Sequence, residues 1–505
     1  MPFLVISKGK GMRTLIHADW VVGHRGGRHE VFVDGELVFE DDRIVHVGFG
    51  WQGAVDARLE APGCIVCPGF IDTHVHAGHR ALHRLLSDTG RPELLGQPFL
   101  EIALRKPQPG GGDARSAGGN APLQAAYTVA ELLRNGVTAF AEFGSNAGVQ
   151  AAIADAVERT GMRAWLGAGF ESYTWFADAA GRRRRRALAD AGRGELAHAL
   201  EFASSLAGRA RLAPLLVPRD VDTCTPELLR EAARSSQERD LRVAIHAAYN
   251  PWEFYEVLAE HGRTPIELLA DTGLLGPRTL LGHCNYLAGA GRMHHAGGRD
   301  LDLVAQSGAT VSHCPVNLAR RGRVLDHWGS YRAAGVPIAL GSDTYPRDMF
   351  EQMRAAASMA KTVARDYTVA PAGQLFDAAT TVPADWLGRP DLGRLEAGAQ
   401  ADVTIVDLKR GGSLRHGPIR DPVRTLVDCA VGEDVRHVFV AGRRCVEDGR
   451  VIGMDIAELQ REAQSDAEAQ WRGVAAWDPL GRSADERSPP CYAMHVNPQA
   501  RSWLS

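Results

Sequence analysis

Eight short apolar runs, most of them followed by helix-like stretches, constrain what this 505-residue chain can fold into. They are CIVCPGFID (64–72), VTAFAEFG (137–144), RAWLGAG (163–169), RLAPLLV (211–217), RVAIHAA (242–248), TLLGHC (279–284), ATVSHC (309–314) and VPIALGSD (336–343). Continuous apolar runs of this length are the pattern of strands covered on both faces. Helical periodicity lies between them in LQAAYTVAELLRN, VQAAIADAVERT, TPELLREAARSSQERD and LDLVAQSG. Alternation of β and α through eight strands predicts a closed parallel (β/α)8 barrel over 64–394, not an open sheet. Segments with shorter β patterns flank it, RTLIHADWVV, HEVFVDGELVFE and RIVHVGFG before, ADVTIVDL, RHVFVAGRR and VEDGRVI after. They predict one small β-domain built from residues 1–63 and 395–465. The tail 466–505 is expected to pack on the barrel or on a partner subunit.

Several of the predicted strands end in residues that bind metals. The first ends in Asp72-Thr73-His74-Val75-His76. Residues two apart on a strand point the same way, so His74 and His76 can grip one ion. His246, His283 and Asp343 stand at the ends of later runs, on the rim where barrel active sites are built. Imidazoles and a carboxylate suit Zn²⁺, Fe²⁺, Mn²⁺ or Co²⁺, with Zn²⁺ the first expectation. A bound ion of this kind lowers the pKa of its water toward neutrality. Asp343 can touch the metal and accept the water's proton, while His283 polarises substrate or steadies the water. Cys64 and Cys67 form a CxxC at the entering end of the first run and are expected in the barrel core. Cys284 and Cys314 read as small buried neighbours of their histidines.

Composition closes off other classes. Net charge is -4, which gives no field for nucleic acid, and no apolar stretch approaches a membrane span. Eight cysteines are too few for a disulfide scaffold in a chain of this length, and the first twenty residues lack a signal-peptide pattern. The expectation is a cytoplasmic enzyme for a small molecule. The run GRRRRR (181–186) reads as a solvated loop or helix start, and residues 77–120 as a long insertion at the barrel mouth.

Taken together, PGFIDTHVH (68–76), His246, His283, SHCPVN (312–317), GVPIALGSDT (335–344) and DLGRLEAGAQADVTIVD (391–407) resemble the amidohydrolase superfamily. The likeness is ordered along residues 13–450. It is nearest to the branch of cytosine and guanine deaminases, methylthioadenosine deaminase-like proteins and triazine and phenylurea hydrolases. The resemblance implies a TIM barrel with a small β-sandwich from both termini and one metal ion on His74, His76, His246 and Asp343. It makes His283 and Asp343 catalytic, and it implies a homodimer or larger homo-oligomer.

Two positions depart from the branch. Tyr249 stands where its deaminases carry a proton-shuttling Glu, with Glu253 a candidate stand-in. Arg219 replaces a substrate-binding His after the fourth strand. With Tyr249, His313, His79 and Glu142, Arg219 completes the set expected to face substrate. Arg320, Arg321 and Arg323 add positive charge after the seventh strand. The first expectation is therefore hydrolysis of an amide, urea or carbamate-type C–N bond. The alternatives are deamination or dechlorination of an amino-heterocycle, and a non-catalytic scaffold, which four intact ligands disfavour.

Overall fold

A computed structural model describes residues 11–77, 80–86, 120–289, 293–295, 297–326, 328–411 and 413–495. Eight parallel strands follow one another around a barrel: Phe70–Val75, Val137–Glu142, Arg163–Leu166, Leu212–Pro218, Arg242–Ala247, Thr279–His283, Thr310–His313 and Ile338–Leu340. Each pairs with its sequence neighbour, as the alternating pattern requires. The first strand closes on the region after the eighth. Val75 bridges Asp343 in parallel, Asp343 N donates to His74 O (2.7 Å), and Thr73 Oγ1 donates to Leu340 O (2.8 Å).

The helices between strands start where the sequence supplies caps. Asn120, Asn146, Thr225 and Asn250 each accept a backbone N–H of the first turn, and Pro follows at or next to N1 in three of the four. The barrel interior is filled by Ile71, Ala139, Phe143, Trp165, Leu215, Val217, Ala244 and Leu280. Trp386 and Leu387 belong to the same cluster.

The two ends of the chain form one eight-stranded mixed sheet. Its central pair is Ala57–Pro68 against Val403–Asp407, antiparallel. The run CIVCPGFID is thus divided: Cys64 and Cys67 belong to this sheet, and the barrel strand begins only at Phe70. This corrects the expectation that both cysteines sit in the barrel. Apolar character alone does not mark where a strand passes from one sheet to the next. Sheet and barrel are joined by a buried ion pair, Arg163 Nε to Asp402 Oδ2 at 2.9 Å. Arg163 opens the third barrel strand, which explains the Asp of the Ala401-Asp402 pair.

The arginine run is neither loop nor helix. Arg183–Ala187 pairs with Tyr173–Ala177 as an antiparallel hairpin. Arg183 lies between the rings of Trp175 and Trp252, its Cζ 4.2 and 4.1 Å from their centroids, and pairs with Glu256. Helix Ile456–Arg472 packs on helix Ala121–Arg134, and Trp471 Nε1 donates to Ala81 O (2.8 Å). Among the described residues, no helix is long and apolar enough to cross a membrane.

Candidate active site

Because all eight strands run the same way, their C-terminal ends form one rim, and the strand-end polar residues meet there. His74 Nε2 lies 3.2 Å from His76 Nε2 and 3.2 Å from His246 Nε2. Asp343 Oδ1 is 3.6 Å from His76 Nε2, and Asp343 Oδ2 is 3.6 Å from His283 Nε2. Tetrahedral bonds of about 2.1 Å to imidazole nitrogens would set those nitrogens roughly 3.4 Å apart, so the His74, His76 and His246 imidazoles could hold a single ion.

Each of these side chains is held from behind. Phe143 stacks flat on the His74 ring, with centroids 3.6 Å apart and planes at 3°. A side chain at Gly341 would put its Cβ 2.5 Å from His74 Cβ, so only glycine lets the eighth strand pass this ring. His246 directs Nδ1 at Arg219 O (2.8 Å) and Asp220 Oδ1 (3.0 Å), which turns Nε2 toward the cluster. Arg347, fully buried, donates from Nη2 to His76 O (2.7 Å) and pairs through Nη1 with Glu131 (2.9 Å). Asp343 accepts a hydrogen bond from Asn317 Nδ2 at Oδ2. His283, Cys284 and Asp343 take positive φ (71°, 49° and 63°), a conformation that costs of order 1 kcal/mol each and recurs at functional sites.

The electrostatics favour the neutral imidazole at His74 and His283 but not at His246. Burial pushes His74 well below its usual range, helped by the neighbouring histidines. His283 is lowered in the same way. Burial also pushes His246 down, but the hydrogen bond and charge of Asp220 outweigh it and leave the ring raised. Burial raises Asp343, against the pull of Arg321 and His246. The Cys284 and Cys314 thiols are pushed up by burial and are not nucleophiles at neutral pH.

The remaining expected residues divide. Tyr249 faces the cluster, its ring 5.9 Å from that of His246 and 6.5 Å from that of His283, with its hydroxyl 3.4 Å from Asp222 Oδ1. His313, lowered to about 3 by burial, lies beneath Trp328 with ring centroids 6.0 Å apart. Arg219 Nη1 donates to Gly144 O (2.7 Å). Glu142 is buried, and its carboxylate is held by Ser145 N (3.0 Å), Ser145 Oγ and Gln150 Nε2. Glu253 accepts from the backbone N–H groups of Ala248, Tyr249 and Asn250, so it caps helix Pro251–His261. His79 lies outside the described residues.

Sequence reasoning missed Phe143, Asn317, Arg347 and the role of Asp220. Asp220 was legible as an acidic residue just past the fourth strand, but its pairing with His246 across to the fifth strand was not.

The amidohydrolase family model matches residues 65–445. A 5-methylthioadenosine/S-adenosylhomocysteine deaminase of Halobacterium salinarum is 30% identical over 454 residues, covering 89% of this chain and 95% of its own. Among solved structures, a zinc-bound adenosine deaminase from Xanthomonas campestris superposes with a TM-score of 0.76 at 23% identity, covering 91% of this chain and 99% of its own. An atrazine chlorohydrolase from Arthrobacter aurescens complexed with zinc gives 0.74 at 21%, covering 90% and 100%. With the family model spanning most of its length and a relative matched nearly end to end, the chain belongs to the amidohydrolase family and is a metal-dependent hydrolase of carbon–nitrogen bonds other than peptide bonds.

Proposed function

We propose that the protein hydrolyses an amide, urea or carbamate-type C–N bond of a small organic molecule, with one divalent ion, Zn²⁺ first, on His74, His76, His246 and Asp343. The observation that carries this reading is the convergence of His76 Nε2 and His246 Nε2 on His74 Nε2, each 3.2 Å away, at the barrel rim, with Asp343 Oδ1 3.6 Å from His76 Nε2. When bound, the ion supplies a Lewis acid and acidifies water. Asp343 divides its labour: Oδ1 faces the ligand cluster, and Oδ2 faces His283 and accepts the proton of the attacking water. His283, kept neutral by burial, orients the carbonyl or amidine group that is attacked. Tyr249 forms a wall of the substrate space beside both histidines, with its hydroxyl tied to Asp222.

A second reading, deamination of an amino-heterocycle, is supported by the name of the Halobacterium salinarum relative. Against it, Glu253 is tied up in its helix cap and Tyr249 holds the position of the usual acid. Elemental analysis of protein purified without chelator is expected to give about one ion per chain in the wild type and none in His246→Ala. Ammonia release is then followed on paired panels of ureas and amides against aminopyrimidines, aminopurines and triazines. Turnover confined to the heterocycles would replace the first reading with the second, and a metal-free wild type that cannot be reconstituted would end both.

A further inference from the structure

Arg323, after the seventh barrel strand, is a buried cation without an acid. It is 7% exposed, and among the described residues no carboxylate pairs with it. Nη1 donates to Tyr249 O (3.1 Å), but the buried Nε and Nη2 make no hydrogen bond. Asn285 is held on the same stretch of backbone. Its backbone N–H donates to Ala248 O (2.9 Å), the carbonyl preceding the one Arg323 holds. Its side chain is 4% exposed, and neither Oδ1 nor Nδ2 has a partner.

Buried polar atoms are nearly always satisfied, and an uncompensated buried charge is costly. Four unsatisfied atoms on two side chains whose residues are anchored to successive carbonyls, Ala248 and Tyr249, therefore ask for a ligand. The location is the reaction site. Asn285 follows His283 by two residues, and Arg323 is near enough for its charge to act on the His283 imidazole, which burial and neighbouring charges hold down. The free edge of the guanidinium, Nε with Nη2, presents two parallel donors, the geometry that matches a planar carboxylate. Asn285 adds a third donor, and its carbonyl suits an N–H next to that carboxylate.

We propose that Arg323 and Asn285 form a carboxylate-binding subsite, so that the substrate is a small C–N compound carrying a carboxylate at the end remote from the bond cleaved. This rests on the hydrolase reading given above. It also explains why a buried arginine stands where methionine would pack at lower cost: its Cζ lies 6.0 Å from the Tyr286 ring centroid, and substrate would supply the counter-charge.

The test uses metal-loaded full-length protein with Arg323→Met, Arg323→Lys and Asn285→Leu, and benzoate as the probe. Benzoate is expected to raise the Tm of the wild type, to do so less in Arg323→Lys and Asn285→Leu, and to leave Arg323→Met unmoved. Without benzoate, Arg323→Met should melt no lower than the wild type. Turnover is compared within pairs, N-carbamoylglycine against methylurea and an aminopyrimidine carboxylate against the parent aminopyrimidine. The carboxylate member should be preferred in kcat/KM by on the order of 100-fold in the wild type and by less than about 3-fold in Arg323→Met. An equal benzoate shift in wild type and Arg323→Met, or a ligand-free Arg323→Met that melts well below wild type, overturns the subsite and makes Arg323 structural. Failure of every pair to turn over counts against the hydrolase reading instead, and the benzoate arm still decides the subsite.

Discussion

At the residue scale, the direction in which His246 presents Nε2 is set by what lies behind it. Asp220 and the Arg219 carbonyl hold Nδ1, fixing the tautomer and the direction of Nε2. Asp220→Asn should therefore fold but bind its metal roughly 10- to 100-fold more weakly, as measured by competition with a chromophoric chelator. Unchanged affinity would remove Asp220 from the site. Gly341 makes the converse point, since the added methyl of Gly341→Ala has no room beside His74. That variant is expected to lose metal while retaining most of its helical circular dichroism. Full metal content in Gly341→Ala would show that the eighth strand can yield. His74, His76, His246, His283 and Asp343 were legible because each ends an apolar run. Phe143 and Asn317 were not, because stacking on an imidazole or donating to a carboxylate leaves no periodic trace.

At the element scale, the rim is assembled by contacts between segments far apart in sequence. Arg347 links the helix Ala121–Arg134, through Glu131, to the carbonyl of His76. Arg347→Met takes the buried guanidinium away from that carboxylate and carbonyl and should cost about 3 kcal/mol in denaturant unfolding. A loss below about 1 kcal/mol would mean that water takes the place of the guanidinium. The hairpin built from the arginine run teaches a different lesson. Five consecutive arginines look solvated, yet Arg183 and Arg185 find rings and acids on other segments: Trp175, Trp252 and Glu256 for the first, Tyr173 and Glu260 for the second. Charge predicts exposure only when no partner is near, and sequence alone does not reveal the partner.

At the scale of the whole molecule, the seam between sheet and barrel carries buried polar groups of its own. His29, on the sheet, packs edge-on against Phe376 with centroids 5.0 Å apart and is pushed down to about 4 by burial and then by His24. The unfolded chain binds that proton below about 6.5 and the folded chain only below about 4, so the unfolded state holds more protons in between. Stability from this group is full above pH 6.5 and falls as pH drops toward 4. His29→Gln should flatten that part of the Tm-against-pH curve relative to wild type, and an identical slope would show that His29 does not report on the seam. Arg163 and Asp402 cross the same seam, and Arg163→Met leaves the buried carboxylate with the Ala441 N–H but no counter-charge, with an expected loss of about 3 kcal/mol.

The sequence by itself determined the barrel, the sheet drawn from both ends and the strand-end histidines and aspartate that meet at one rim. These rest on local periodicity and on the rule that parallel strands bring their C-terminal ends to one rim. Tertiary structure alone decided where the first run divides between two sheets, that Glu253 caps a helix, that Glu142 is engaged by Ser145 and Gln150, and that Arg323 and Asn285 are left with unanswered atoms. The physical reason is the same in each case. Whether a polar group is satisfied depends on atoms brought close by the fold, and nearness in space is not encoded at any fixed spacing along the chain.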